Sequence, residues 1–422
     1  GLKAGDEIIK IGLIRVSDFE EEAGELLKGA PGSQVELTYL RQGKTKTTTL
    51  TREAIDVRAV PFYKLINNDI GYIVLTKFNR KTTKETKAAL TALKAEGAKK
   101  IILDLRGNPG GLLNEAISVV NLFVPQGEVI TTTKSVIKKY NKTYKTRLEP
   151  IDTEIPLVIL VNGRSASASE IVSGGLQDLD RAVIVGARSF GKGLVQRPKN
   201  LTYGTQLKVT ISRYYTPSGR CIQALDYWNR DENGDPVRKK TTEFSSFKTK
   251  GGRTVYDGGG ILPDVELETA VFSPITTALL KDDAIFNYAT QYHYANEMKD
   301  WKGFRFSDTD FQNFIRYLKT NDFEYETETE KEFAQALRHA ENDDLSKSIA
   351  SSYNDLMAAI DEAKEKALLS KKAEIKSLLS DEILKRYFYR DGLYNYQVVN
   401  NPEILEAVSI LNNEKRYNKI LK

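Results

Sequence analysis

Residues Pro156–Gln196 read PLVILVNGRSASASEIVSGGLQDLDRAVIVGARSFGKGLVQ. An unbroken apolar run, Leu157–Val161, leads into a serine-rich turn and a helical stretch from about 167 to 177. A second apolar run follows at 181–186, and then Lys192 between Gly191 and Gly193. Strand-length runs without polar alternation, separated by a helix, predict parallel strands buried on both faces. The scheme extends upstream. GYIVLTKF (71–78) reads as a strand, KETKAALTALKAEG (84–97) as a helix stopped at Gly97, KKIILDL (99–105) as another apolar strand and LLNEAISVVNLFV (112–124) as an amphipathic helix. Residues 58–271 therefore read as an α/β core. After Lys192 come β-rich segments such as QLKVTISRYYTPSG (206–219) and a polar loop through Asp257–Gly260.

The flanks differ, so the whole chain reads as multidomain α+β. Residues 1–57 hold short strands, a Gly5-Asp6 turn, a short helix in DFEEEAGELLKG and two strands meeting at Gly43. Residues 272–422 read as a charged helical domain. Leu345, Ile349, Tyr353, Leu356 and Ile360 recur at helical spacing, as do Ile375, Leu379, Ile383 and Tyr387, and the bundle core is the expected place for both stripes. Pro402 marks a helix start.

At 422 residues several domains are expected. With 62 Lys and Arg against 57 Asp and Glu, the net charge of +5 argues weakly for any polyanionic partner. The apolar runs fall far short of the roughly 20 residues that span a bilayer. One cysteine, Cys221, excludes an internal disulfide and a multi-cysteine zinc site. The chain starts at Gly1 without a signal-like apolar segment, so localisation is not read from the N-terminus.

Two strand-to-helix turns carry the candidate chemistry, DLRGNPGGLL (104–113) and VNGRSASASE (161–170). In a parallel sheet both emerge at the carboxyl edge, where ligands bind. Gly107, Gly110 and Gly111 expose backbone amides, and the second turn opens a helix whose N-terminus favours negative charge. A nucleophile at one turn and donors from both would frame an oxyanion hole. The next strand climbs back after the helix, returning Lys192 to the same edge. The glycines permit tight packing there, and Phe190 and Val195 can dry the surroundings, as a lysine acting as base requires.

Each residue also has a duller reading. A serine three residues before Glu170 is half of a capping box, and spacing alone does not choose among Ser165, Ser167 and Ser169. Asp104 caps or pairs with Arg106. The basic run Lys134–Arg147, with interleaved tyrosines, reads as a solvated ribbon rather than an RNA site, since no RNA-binding motif accompanies it. Cys221 as nucleophile would need a histidine, and His293 and His339 are both distant in sequence.

Together, SASASEIVSGGLQDLDRAVIVGARSFGKGLVQ, DLRGNPGG, YYTPSGR (214–220), GGGILPDV (258–265) and GLKAGD resemble the C-terminal processing peptidases, also called tail-specific proteases. The resemblance covers roughly residues 1–270. It implies a ClpP/crotonase-like core of repeated strand-turn-helix units, with a partial PDZ domain before it and a helical domain after it. Carried over by position, it implies Ser167 as nucleophile, Lys192 as general base, Gln196 as the residue that positions the lysine, and Ala168 with Gly110 or Gly111 as the oxyanion hole. It implies no cofactor and no metal. The expected partners are protein or peptide substrates with free C-termini, not nucleic acid, with a homo-oligomer through the helical domain also compatible. The expected location is the cell envelope or periplasm. The chain begins after the early strand and carboxylate-binding loop of a PDZ domain, so tail gripping is implied for a longer protein. The alternatives are a catalytically idle peptide-binding protein on the same fold and an acyl-thioester enzyme.

Overall fold

In the computed structural model, which describes residues 1–232, 234–267 and 272–422, the N-terminal segment forms an antiparallel sheet. Its strands β1 (Glu7–Ile11), β2 (Ile14–Arg15), β3 (Gln34–Arg41) and β4 (Lys44–Thr51) lie in the order β2-β1-β3-β4. The helix expected over DFEEEAGELLKG does not form; only 3-10 turns at Val16–Asp18 and Ala23–Leu27 appear. Gly24 weakens a helix there, and Glu21 and Glu25 would repel at i,i+4 spacing.

The apolar runs build a six-stranded sheet in the order β18-β11-β10-β7-β6-β5. Its strands are β5 (Phe62–Ile66), β6 (Ile70–Val74), β7 (Lys100–Asp104), β10 (Leu157–Val161), β11 (Val183–Gly186) and β18 (Val265–Glu266). From β6 to β18 neighbours are parallel; β5 joins β6 as a hairpin. Helices α1 (Thr82–Ala95), α2 (Leu113–Asn121) and α3 (Ala168–Asp178) fall between successive parallel strands. They share one core with Ile101, Leu103, Leu157, Ile159 and Ile184, one alternate set of strand residues. Asp104 pairs with Leu160, and Val161 with Gly186, so three strands end level. A second sheet, ordered β12-β13-β8-β9, joins β8 (Val129–Lys134) and β9 (Lys142–Lys145) to β12 (Leu194–Asn200) and β13 (Gln206–Tyr215). Among the described residues two short ribbons complete the β content, β14 (Leu225–Arg230) with β15 (Pro236–Arg238), and β16 (Ser246–Lys248) with β17 (Thr254–Tyr256).

The later residues are helical: α4 (Pro274–Lys281), α5 (Ala284–Ala295), α6 (Asp308–Thr320), α7 (Glu328–Asn342), α8 (Ser346–Ser370), α9 (Lys372–Asn400), α10 (Pro402–Asn412) and α11 (Glu414–Ile420). Of the two apolar stripes, Ile375, Leu379 and Ile383 are fully buried with Phe311, Phe314 and Leu279. The other is not core. No residue of α8 is buried, and Leu345 and Leu356 are exposed.

By its internal packing the chain divides into two compact units. One is Gly1–Asp56 with Ala270–Tyr396, the other Val57–Thr269 with Gln397–Lys422. The expected division at 271 lies outside the described residues. At the end of the chain, α10 lies against β7, β10 and β11. Pro402 opens α10 behind the Asn401 cap, and Ile404, Ala407, Val408, Ile410 and Leu411 are buried. Tyr417 of α11 donates its hydroxyl to Leu157 O and accepts from Leu157 N. This tail covers the sheet face opposite α1–α3, where Ile102, Val158, Leu160, Val183 and Val185 are buried. Both faces are therefore dry, which is why the strands carry no polar alternation.

Candidate active site

Three turns meet where β7, β10 and β11 end. The first is pinned at both ends. Asp104 accepts hydrogen bonds from Tyr72 Oη (2.6 Å) and from the Arg106 backbone and guanidinium. Arg106 reaches on to Asn401 Oδ1 (2.9 Å) and Glu403 at the start of α10. Asp104 is thus a structural partner of Arg106. Asn108, fully buried, donates to Leu75 O and accepts from Gly110 N (2.9 Å). Gly110 has φ +95°, and a Cβ there would stand 2.6 Å from Ala166 O and 2.8 Å from Ala168 N. Only glycine lets this turn approach the serine turn so closely.

The structure separates the three serines that spacing left equivalent. Ser165 is fully buried; its hydroxyl donates to Leu105 O (2.8 Å) and accepts from Asn162 N. Ser169, also buried, donates to Asn108 O (2.9 Å). Both tie the second turn to the first. Ser167 is half-buried, its side chain makes no cap hydrogen bond, and its backbone sits at φ +56°, ψ −108°. Such a conformation costs a non-glycine residue about 1–3 kcal/mol and is concentrated at functional sites. The helix start is capped from the other side, by Glu170 accepting from Ser167 N.

Glu170 connects the second turn to the third. Its carboxylate is fully buried and takes four donors: Ser189 Oγ and Gly191 N on Oε1 (both 2.6 Å), Ser167 N (2.8 Å) and Lys192 N (2.9 Å) on Oε2. The Ser167 and Lys192 amides share one oxygen atom, so they stand less than about 6 Å apart. Burial raises the Glu170 pKa, opposed by the four donors. The sequence reading had Glu170 only as half of a capping box. Its reach to residues 189–192 leaves no local signature, although the Ser-x-x-Glu spacing did mark the residue.

Ser167, Ala168, Gly110, Gly111 and the Lys192 backbone come together in this way. Among the described hydrogen bonds, Ala168 N and Gly111 N have no acceptor, and none joins Ser167 Oγ to Lys192 Nζ. Gln196 is exposed on β12 beside the bulge at Val195/Gln196. Phe190, expected to dry the lysine, is 37% exposed beneath Arg238. Burial raises the Cys221 pKa, the wrong direction for a nucleophile. His293 and His339 belong to the other compact unit. A buried pair the sequence reading missed, Asp178 and Arg220, locks the end of α3 to the turn after β13 at 2.8 Å.

The family model described as peptidase family S41 matches residues 69–227. A PDZ domain model matches residues 1–51, and one described as "Probable PDZ-protease, C-terminal helical domain" matches residues 275–411. The carboxy-terminal-processing protease of Bartonella bacilliformis is 40% identical over 234 residues, 53% of this chain and 53% of that protein. The carboxy-terminal processing protease CtpA of Bacillus subtilis is 36% identical over 226 residues, 53% of this chain and 47% of that protein. A solved photosystem II D1 C-terminal processing protease is 29% identical, with coverage of 65% and 66% and a TM-score of 0.39. The chain spans about half the length of these curated relatives. By segment, residues 69–227 thus resemble peptidase family S41, residues 1–51 a PDZ domain and residues 275–411 the C-terminal helical domain of a PDZ-protease.

Proposed function

We propose that the chain carries the catalytic part of a serine endopeptidase that cleaves proteins near their C-termini, with Ser167 as nucleophile and Lys192 as general base. The observation that carries the reading is the Ser167 hydroxyl, which takes part in none of the described hydrogen bonds, on a strained turn. Its amide and that of Lys192 are held by one buried carboxylate oxygen. Ser167 Oγ attacks the peptide carbonyl carbon while its proton passes to neutral Lys192 Nζ. The tetrahedral oxyanion is received by Ala168 N–H and Gly111 N–H, since the Gly110 amide is occupied by Asn108. The C–N bond then breaks as Lys192 protonates the leaving amine. Water, deprotonated by Lys192, hydrolyses the ester. Gln196 orients the lysine once the side chains close to about 3 Å. In a longer protein the PDZ module would present substrate tails, and the protein works outside the cytoplasm, in the cell envelope.

The test is turnover of a peptide with a free apolar C-terminus. Ser167→Ala and Lys192→Ala should each abolish cleavage while leaving the unfolding transition in place, and full activity in either would sink the dyad. The absence of a Ser167 Oγ–Lys192 Nζ bond among the described hydrogen bonds favours a second reading, an idle peptide-binding protein. Binding of the same peptide without turnover by the wild-type chain would establish it.

A further inference from the structure

The second sheet carries charge of one sign. Residues 129–148 and 194–215 contain ten Lys or Arg and no Asp or Glu, against a net charge of +5 for the whole chain. Among the described ion pairs none involves these residues. Arg213 of β13 is directly opposite Lys134 of β8, a like-charge placement that destabilises a sheet. A solvated ribbon gives no reason to keep ten cations together without a carboxylate among their described partners, even with Lys134 and Lys139 set over the Tyr215 and Tyr140 rings; conflicts of this kind concentrate where function demands them. On the sheet lies a cavity of about 320 Å³, with Lys139, Lys142 and Arg197 at its wall beside Tyr140, Tyr144 and Thr133. Lys139, Lys142 and Arg197 are exposed. The cavity also touches Val195, three residues after Lys192 on the strand that leaves the site. Three residues reach at most about 10 Å, so it begins within about 10 Å of Lys192.

We infer that this basic sheet is a docking surface for an acidic segment of the protein substrate, with carboxylates entering the Lys139–Lys142–Arg197 cavity. An extended chain covers about 3.3–3.6 Å per residue, so the acidic residues lie about three to five positions from the scissile bond. The inference rests on the peptidase reading. It makes the sheet a specificity element in which cations attract an acidic chain and the tyrosines pack its stems.

The test uses the full chain carrying Ser167→Ala, so binding is read without turnover. Two peptides share one apolar C-terminus and differ only in interior Glu or Gln residues. At low salt the Glu peptide should bind about ten-fold more tightly, as three exposed charge pairs would give. The ratio should fall to about one in the Lys139→Gln, Lys142→Gln, Arg197→Gln variant, with its unfolding midpoint unchanged, and also on raising salt. Equal binding of the two peptides by the Ser167→Ala chain would overturn the inference. So would tighter binding of a single-stranded oligonucleotide or of phosphatidylglycerol vesicles, which would give the sheet to nucleic acid or membrane. Failure of the catalytic reading shows separately, as absence of turnover by the wild-type chain.

Discussion

Replacing Glu170 by Gln tests how the serine and lysine turns are held together. If the new amide nitrogen takes the Oε2 position, it confronts the Ser167 and Lys192 N–H groups and orphans both donors. In the Oε1 position it faces Ser189 Oγ and Gly191 N. Ser189 already accepts from Ile261 N and can turn its own proton away, so only the Gly191 N–H is orphaned. The second arrangement wins. One buried, unsatisfied N–H costs about 1–3 kcal/mol. Some of that is returned, because the wild-type carboxylate pays for burial. Its pKa is raised, so its contribution to stability is fully present below the ordinary value near 4.5 and lost as pH rises through the folded value. At neutral pH the ionised group therefore carries a penalty that Gln lacks. Glu170→Ala has no such compromise; it orphans all four donors and leaves a cavity. Urea unfolding should thus show a modest loss for Gln and one several times larger for Ala. Amide exchange should quicken at Gly191 before Lys192 in the Gln variant, and kcat should fall more than KM changes. Unaltered stability and unaltered exchange at Gly191 in Glu170→Gln would refute the reasoning.

Other perturbations follow from the same contacts. Gly110→Ala puts a methyl 2.6 Å from Ala166 O at φ +95°; peptide turnover should drop about 100-fold as the turn shifts from Ser167. Asp178→Ala leaves the Arg220 guanidinium buried and without its carboxylate, so denaturant unfolding should show a loss of about 3–5 kcal/mol. Burial pushes the Tyr214 phenol up to about 12. Its stabilising share is complete below pH 10 and disappears as pH rises through about 12, roughly 3 kcal/mol. Unfolding curves across that range should flatten in Tyr214→Phe.

The central sheet was legible because burial on both faces writes itself as unbroken apolar runs, and Leu157–Val161 or Lys100–Asp104 have no competing period. What covers the second face was not legible. Ile404, Ala407, Val408 and Leu411 have helical spacing like any bundle helix, and nothing local says that they pack on strands far upstream. The stripe Leu345–Ile360 misled in the opposite direction, since spacing reports a face but not whether it is covered. At the site, the motifs located the three turns, yet Ser165, Ser167 and Ser169 became distinct only through partners on another turn. Glu170 was visible as a cap and hidden as a bridge, because three of its four donors lie near position 190.

The central claim, that Ser167 is the nucleophile and Lys192 its base, is tested most directly by covalent capture. The full chain is incubated with a serine-reactive phosphonate peptide, digested and read by mass spectrometry. The account predicts one adduct, on Ser167, strongly reduced in Lys192→Ala and retained when His293 and His339 are both replaced. An adduct on Ser165, Ser169 or Cys221, or equal labelling of Ser167 in Lys192→Ala, would contradict it.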